Sequence, residues 1–234
     1  MIESKTLLFV AGGRDFPLFW DWVYRVNFID KLIIRYHLHH DATAMAQKYF
    51  MEHDYDYLIV TTDDLLGTPE HVRMLLEDEE KHNFPIISGW CDGPPASGLS
   101  GVSQLQHDGI HSKVSTFKSY HFIPMSDIFL GKLGFPFFKV WFNGLPLTLI
   151  KKEVLKEVPI RPFIHVRDSF CVTPETKAKG RGVMLDLQFC IDCAAKKIPI
   201  TIDSRIFLLH FGLRSHGLAV GHKPSKIEFV KATT

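Results

Sequence analysis

The sequence predicts an α/β fold: one domain built on a largely parallel central sheet with helices on both faces. Short apolar runs that end in glycine or polar residues alternate with longer stretches of helical character. The chain has 234 residues, enough for one sizeable core, and its 46% hydrophobic and 23% charged residues are those of an ordinary globular protein.

Residues 6–11 (TLLFVA) read as a buried strand stopped by Gly12-Gly13, and residues 16–28 as an aromatic-rich helix with Pro17 in its first turn. Residues 31–36 (KLIIRY) form a second strand, and Asp41 caps a helix over ATAMAQKYFMEH. Residues 57–60 (YLIV) form a third strand that runs into Thr61-Thr62-Asp63-Asp64. A helix from Pro69 to His82 follows, capped by Thr68, and residues 85–89 (PIISG) make a fourth strand. From 91 to 138 the rhythm breaks into a Gly-, Pro-, Ser- and His-rich insertion, expected over the sheet edge with a strand or two near 114–123. Then come a strand-like LPLTLI with a short helix, a loop over 165–182, a helix over 183–197, a strand at 199–203 and an apolar run at 206–210. The expected domain is 1–212, and 213–234 is expected to be a flexible tail.

A net charge of +1 gives no basic stripe for nucleic acid, so no nucleic-acid partner is expected. The four cysteines are too few for a disulfide framework, and Cys190-x-x-Cys193 lies in a helical run without a second pair, which favours buried thiols over zinc. No apolar segment reaches the length of a transmembrane span, and the start of the chain lacks a signal-peptide pattern; the expected location is cytoplasmic.

Asp63-Asp64 is the most informative feature. Two carboxylates after a buried strand repel each other and are costly unless solvated or paired. A hard divalent cation removes that cost, and open parallel sheets bind ligands at the carboxyl ends of their strands. An acidic cluster at a helix N-terminus would also explain the pair, and from the pair alone both readings are open.

The stretch DYDYLIVTTDDLLGTPEHVRMLL resembles the third-strand region of nucleotide-sugar glycosyltransferases of the GT-A (Rossmann-like) fold, in particular the large family-2-like group. The resemblance implies that Asp64 binds the metal and that Asp63 contacts the nucleotide ribose or the metal; Thr62 stands where the fuller motif has its first aspartate. Downstream, GVMLDLQFCIDCAAKKIPITIDSRIFLLH is similar to the second signature of the family. It implies Asp186 as catalytic base, with Leu185 in place of a glutamate, and His210 as completing the metal shell. A helix-opening aspartate and a structural histidine are the plainer readings of these two. By position, Gly12, Gly13 and Arg14 fall where relatives hold the nucleotide, with Arg14 meeting a phosphate; a plain tight turn is the alternative. His39, His40 and Asp41 fall at the start of the helix before the motif strand, as donor contacts or a solvated cap. Trp90, Trp141 and Phe142 are candidates for stacking on a sugar or for core packing, and Asn143-Gly144 precedes the acceptor-side strand. Arg214, His216, His222 and Lys223 would close over a diphosphate, or lie in a solvated tail.

The implied activity is transfer of a sugar from a nucleotide-sugar donor to a carbohydrate, glycolipid or glycoprotein acceptor, with Mn²⁺ or Mg²⁺ and inversion at the anomeric carbon. A sugar-phosphate nucleotidyltransferase and a catalytically silent nucleotide-sugar-binding module are the alternatives.

Overall fold

In the computed structural model, strand β1 (Thr6–Gly12) is buried from Thr6 to Ala11 because both faces of its sheet are covered. Leu7, Phe9 and Ala11 point into one apolar cluster and Leu8 and Val10 into the other, the two-residue period of a strand sorting them. The structure describes residues 2–14, 16–37, 39–93, 98–104, 122–161, 185–211 and 225–233.

The elements that follow are α1 (Pro17–Arg25), β2 (Asp30–Arg35), α2 (His39–Glu52), β3 (Tyr57–Thr62), β4 (Leu65–Leu66), α3 (Pro69–His82) and β5 (Ile86–Cys91). Then come β6 (Leu99–Ser103), β7 (Phe122–Pro124), α4 (Met125–Phe129), β8 (Phe137–Val140), β9 (Phe142–Asn143), β10 (Leu147–Lys151) and α5 (Lys152–Glu157). The chain closes with α6 (Leu185–Ala195), β11 (Ile200–His210) and β12 (Lys226–Val230). Helix α1 buries Phe19, Trp20, Trp22 and Val23, and α3 buries Val72, Leu75 and Leu76, in the cluster on one face of the sheet. Helices α2, α5 and α6 contribute to the cluster on the other. As the sequence predicts, Thr68 caps α3, its side chain accepting from the His71 amide, and left-handed Asn83 ends it.

The fold is mixed α/β. The main sheet has nine strands in the order β12-β2-β1-β3-β10-β5-β11-β4, with β8 paired to β11. Strands β2, β1, β3, β5 and β11 share one direction, and β10 runs against its neighbours β3 and β5. The sheet is therefore more mixed than a largely parallel one. LPLTLI reads as a strand buried on both faces, and burial carries no information about direction. The reversal has a functional consequence: the amino end of β10 lies at the same edge as the carboxyl ends of its neighbours.

Three expectations change. Asp41 does not cap α2; the helix already begins at His39. The strand at 199–203 and the apolar run at 206–210 are one eleven-residue strand with an irregular register between Ile202 and Phe207. The chain beyond 212 is not uniformly a flexible tail, since β12 pairs antiparallel with β2 from Lys226 to Val230. KIEFV is too short and too charged to announce itself, and its pairing partner lies far away in sequence. The insertion contributes β6 and β7 to a three-stranded sheet with β9, while β8 joins the main sheet. Most of the region expected to hold its strands, and the 165–182 loop, lie outside the described residues. Among the described residues no helix is long and apolar enough to cross a membrane.

Candidate active site at the carboxyl edge of the sheet

Register brings the first two motifs together. Ala11 pairs with Thr62, so the Gly12-Gly13 turn and the Asp63-Asp64 turn leave the sheet side by side. The acidic pair lies between β3 and β4, and α3 begins only at Pro69 under its own Thr68 cap. A helix-terminal acidic cluster therefore does not account for the pair. Strand β4 then pairs with the end of β11, Leu65 opposite His210, and the Phe211 amide donates to the Asp64 carbonyl at 2.8 Å. This short ladder brings His210 Nε2 within 3.5 Å of Asp64 Oδ2.

The two aspartates face different surroundings. Asp63 is 5% exposed and turns toward the glycine loop. Its Oδ2 accepts from the Gly13 and Arg14 amides, each at 2.6 Å, and its Oδ1 from Arg14 Nη1 at 3.0 Å. Burial raises its pKa, against these donors and Arg14. Asp64 Oδ1 accepts from the Thr62 hydroxyl at 2.7 Å, and Arg14 Nη1 lies 2.7 Å from its Oδ2. Burial opposes its charge, but His210, Arg14 and Thr62 outweigh it and hold its pKa well below the usual carboxylate range. The hydrogen bond to Asp64 in turn raises the pKa of His210, against partial burial.

Asp186 reaches the same edge from the first turn of α6, its Oδ1 accepting from the Leu187 amide at 2.9 Å. Its pKa is raised by desolvation, with the Leu187 amide opposing. Gly144, just before β10, lies beside the other oxygen: a β-carbon there would stand 3.9 Å from Asp186 Oδ2, at ordinary contact distance.

Three adjoining hollows share these residues. One of about 400 Å³ holds Asp64, His210, Asp92 and Asp186 between Phe122, Phe142, Gly144 and Pro146. A second, about 260 Å³, runs over Gly12, Gly13, Arg14, His37, His39, Asp63 and Asp64. A third, about 210 Å³, is mainly apolar and has Thr62, Gly144 and Asp186 in its lining. His39, rather than His40 or Asp41, faces these hollows; His40 Nε2 instead lies 3.4 Å from Asp41 Oδ1. Of the aromatic candidates, Phe142 lines the largest of these three hollows, whereas Trp90 is fully buried and its indole donates to the Ser204 carbonyl. Arg214, His216, His222 and Lys223 lie outside the described residues.

Asp92 is a carboxylate that the motifs did not single out. It follows β5 as Asp63 follows β3, and its Oδ1 accepts from the His210 amide at 2.8 Å. The same strand-end logic applied to WCDG would have found it. Cys91 beside it is no nucleophile, since burial, with Asp92, Asp64 and Asp186 adding, pushes its thiol up to about 12. Cys190 and Cys193 are buried free thiols, as their helical setting suggests.

Among the described residues no group of three or more His, Cys, Asp or Glu side chains is placed to hold a metal. Asp64 and His210 are the two residues here that could supply adjacent ligands to a cation. Their 3.5 Å separation is near the roughly 3 Å between adjacent ligands of one octahedral ion.

No family model and no curated protein matches this sequence. Among solved structures, the fold is similar to that of A197 from STIV. The TM-score is 0.56 at 18% identity, over 88% of this chain and 85% of that one. At that identity the likeness speaks for the fold alone.

Proposed function

We propose that this chain is a metal-dependent glycosyltransferase of the GT-A type, moving a sugar from a nucleotide-sugar donor to an acceptor hydroxyl with inversion. The observation that carries the reading is convergence. Asp64, His210 and Asp186 come from three distant segments and line one hollow of about 400 Å³ at the edge where the aligned strands end.

In this reading the donor lies along the hollow over Gly12, Gly13 and Arg14, and its diphosphate ends at Asp64 and His210. Those two residues would hold Mg²⁺ or Mn²⁺, which supplies positive charge against the departing diphosphate. Thr62 fixes the Asp64 carboxylate, and the His210 backbone is fixed through Asp92. Asp186 takes the acceptor hydroxyl proton as that oxygen bonds to the anomeric carbon and the bond to the diphosphate breaks. A carboxylate whose pKa is raised by desolvation is a better base than an exposed one. Gly144 lines the same hollow beside it. Attack opposite the leaving group inverts the anomeric centre.

Asp186→Asn should abolish transfer while nucleoside diphosphate binding with Mn²⁺ persists. Wild-type transfer rates in that variant, or retention at the anomeric carbon by NMR, would remove Asp186 as the base. One observation favours the silent binding module as a second reading: Arg14 already pairs with Asp63 and Asp64, and Thr62 and Leu185 supply no further carboxylate. Binding of nucleotide sugars without hydrolysis or transfer would select it. A nucleotidyltransferase would instead release diphosphate from a nucleoside triphosphate and a sugar phosphate, and the same substrate panel would reveal it.

A further inference from the structure

Arg14 is set apart by what it touches. Its Nη1 bridges Asp63 Oδ1 at 3.0 Å and Asp64 Oδ2 at 2.7 Å, and that same Asp64 oxygen faces His210 Nε2 at 3.5 Å. A guanidinium nitrogen and a divalent cation on one carboxylate oxygen compete for it, because two positive charges then repel each other across a few ångströms. The guanidinium is also separable from the loop that carries it. The Arg14 amide donates to Asp63 Oδ2 at 2.6 Å and the Arg14 carbonyl accepts from the Trp20 indole at 3.0 Å, so the backbone is pinned at both ends of the residue. The side chain is 37% exposed and borders the hollow that runs over Gly12, Gly13, His37 and His39.

We infer that Arg14 is a resident counter-ion for Asp64, which a divalent cation must displace and which then turns to the incoming diphosphate. The inference rests on the proposed cation site at Asp64 and His210, and makes Arg14 the positioning residue that sets its affinity. While Arg14 sits on Asp64, the two buried acids share one positive charge without a metal. When it leaves, Asp63 keeps both backbone amides and Asp64 keeps the Thr62 hydroxyl, so neither is stranded. The cation alone must break a charge-assisted contact and binds weakly. A diphosphate offers the freed guanidinium a new anion, so cation and diphosphate bind cooperatively.

The test is titration of the full chain with Mn²⁺ alone, followed by electron paramagnetic resonance of the free ion, for wild type, Arg14→Gln, Arg14→Lys and Asp64→Asn. The series is repeated with uridine or guanosine diphosphate present. Arg14→Gln should bind Mn²⁺ alone about tenfold or more tightly than wild type, the order expected for one charged hydrogen bond. It should also lose most of the cooperativity with the diphosphate, and Arg14→Lys should fall between. Thermal melts report whether the pinned turn survives in Arg14→Gln, and Arg14→Lys provides the same comparison with the charge retained.

Unchanged or weaker Mn²⁺ binding in Arg14→Gln, with binding lost in Asp64→Asn, would overturn the role of Arg14 and leave the cation site standing. Equal Mn²⁺ binding by wild type and Asp64→Asn would overturn the site itself. No binding by any variant, with or without diphosphate, would overturn both.

Discussion

Replacing Asp63 tests whether this carboxylate serves the ligand or the loop. Its two oxygens accept from the Gly13 amide, the Arg14 amide and Arg14 Nη1, at 2.6, 2.6 and 3.0 Å. Asp63→Ala removes all three contacts and leaves the two amides without an acceptor. Hydrogen bonds to a charged group contribute about 1.5–3 kcal/mol each, but they share one carboxylate whose burial already costs energy, so they do not add. A net loss of about 3 kcal/mol follows, equivalent to a fall of roughly 6–12 °C in Tm for a chain of this size. Asp63→Asn keeps one oxygen for the amides while its NH₂ opposes the guanidinium, and should cost about 1–2 kcal/mol. Urea unfolding with an unchanged slope measures both. If Asp63→Ala lies within about 1 kcal/mol of wild type yet abolishes nucleotide binding, Asp63 is a ligand contact and its role in holding the loop is refuted.

Two further outcomes follow from the sheet and from a buried acid. Gly89→Ala would place a β-carbon 2.6 Å from Ile206 Cγ2 and 2.9 Å from the Ile206 carbonyl, against the irregular stretch of β11. It should destabilise by about 1–3 kcal/mol, and an unchanged thermal melt would show that β11 yields freely. Asp78 on α3 shares Arg205 with Asp203, and burial, reinforced by Asp203 and opposed by Arg205, raises its pKa to about 6. A raised carboxyl pKa favours the protonated folded state. Its contribution is complete below the ordinary value near 4 and is lost as pH rises through about 6. Asp78→Asn should therefore gain on wild type between pH 4 and 7, by at most about 3 kcal/mol. A stability difference independent of pH would mean that Asp78 titrates normally.

Much of the site was legible because strand ends and helix starts leave local marks. TLLFVAGG and YLIVTTDD each show a buried run stopping at residues unfit for a core, and both stop at the edge that carries the candidate site. The Thr68-Pro69 start of α3 was equally plain. Signals that depend on a distant partner were not. His39, His40 and Asp41 are neighbours in the chain, and only the rotation of α2 on the sheet tells them apart by presenting His39 to the hollows. Strand β12 exists through its pairing with β2, and no feature of KIEFV alone reports that partner.

The sequence by itself determined an alternating α/β chain with acids at the end of a buried strand, because burial and capping act over a few neighbouring residues. Tertiary structure decided what those acids face. Parallel register sets Asp63 beside the Gly13 loop, the β4–β11 ladder brings His210 to Asp64, and the reversed β10 sets Gly144 beside Asp186. Each of these depends on pairings between segments far apart in the chain, which composition and periodicity do not encode.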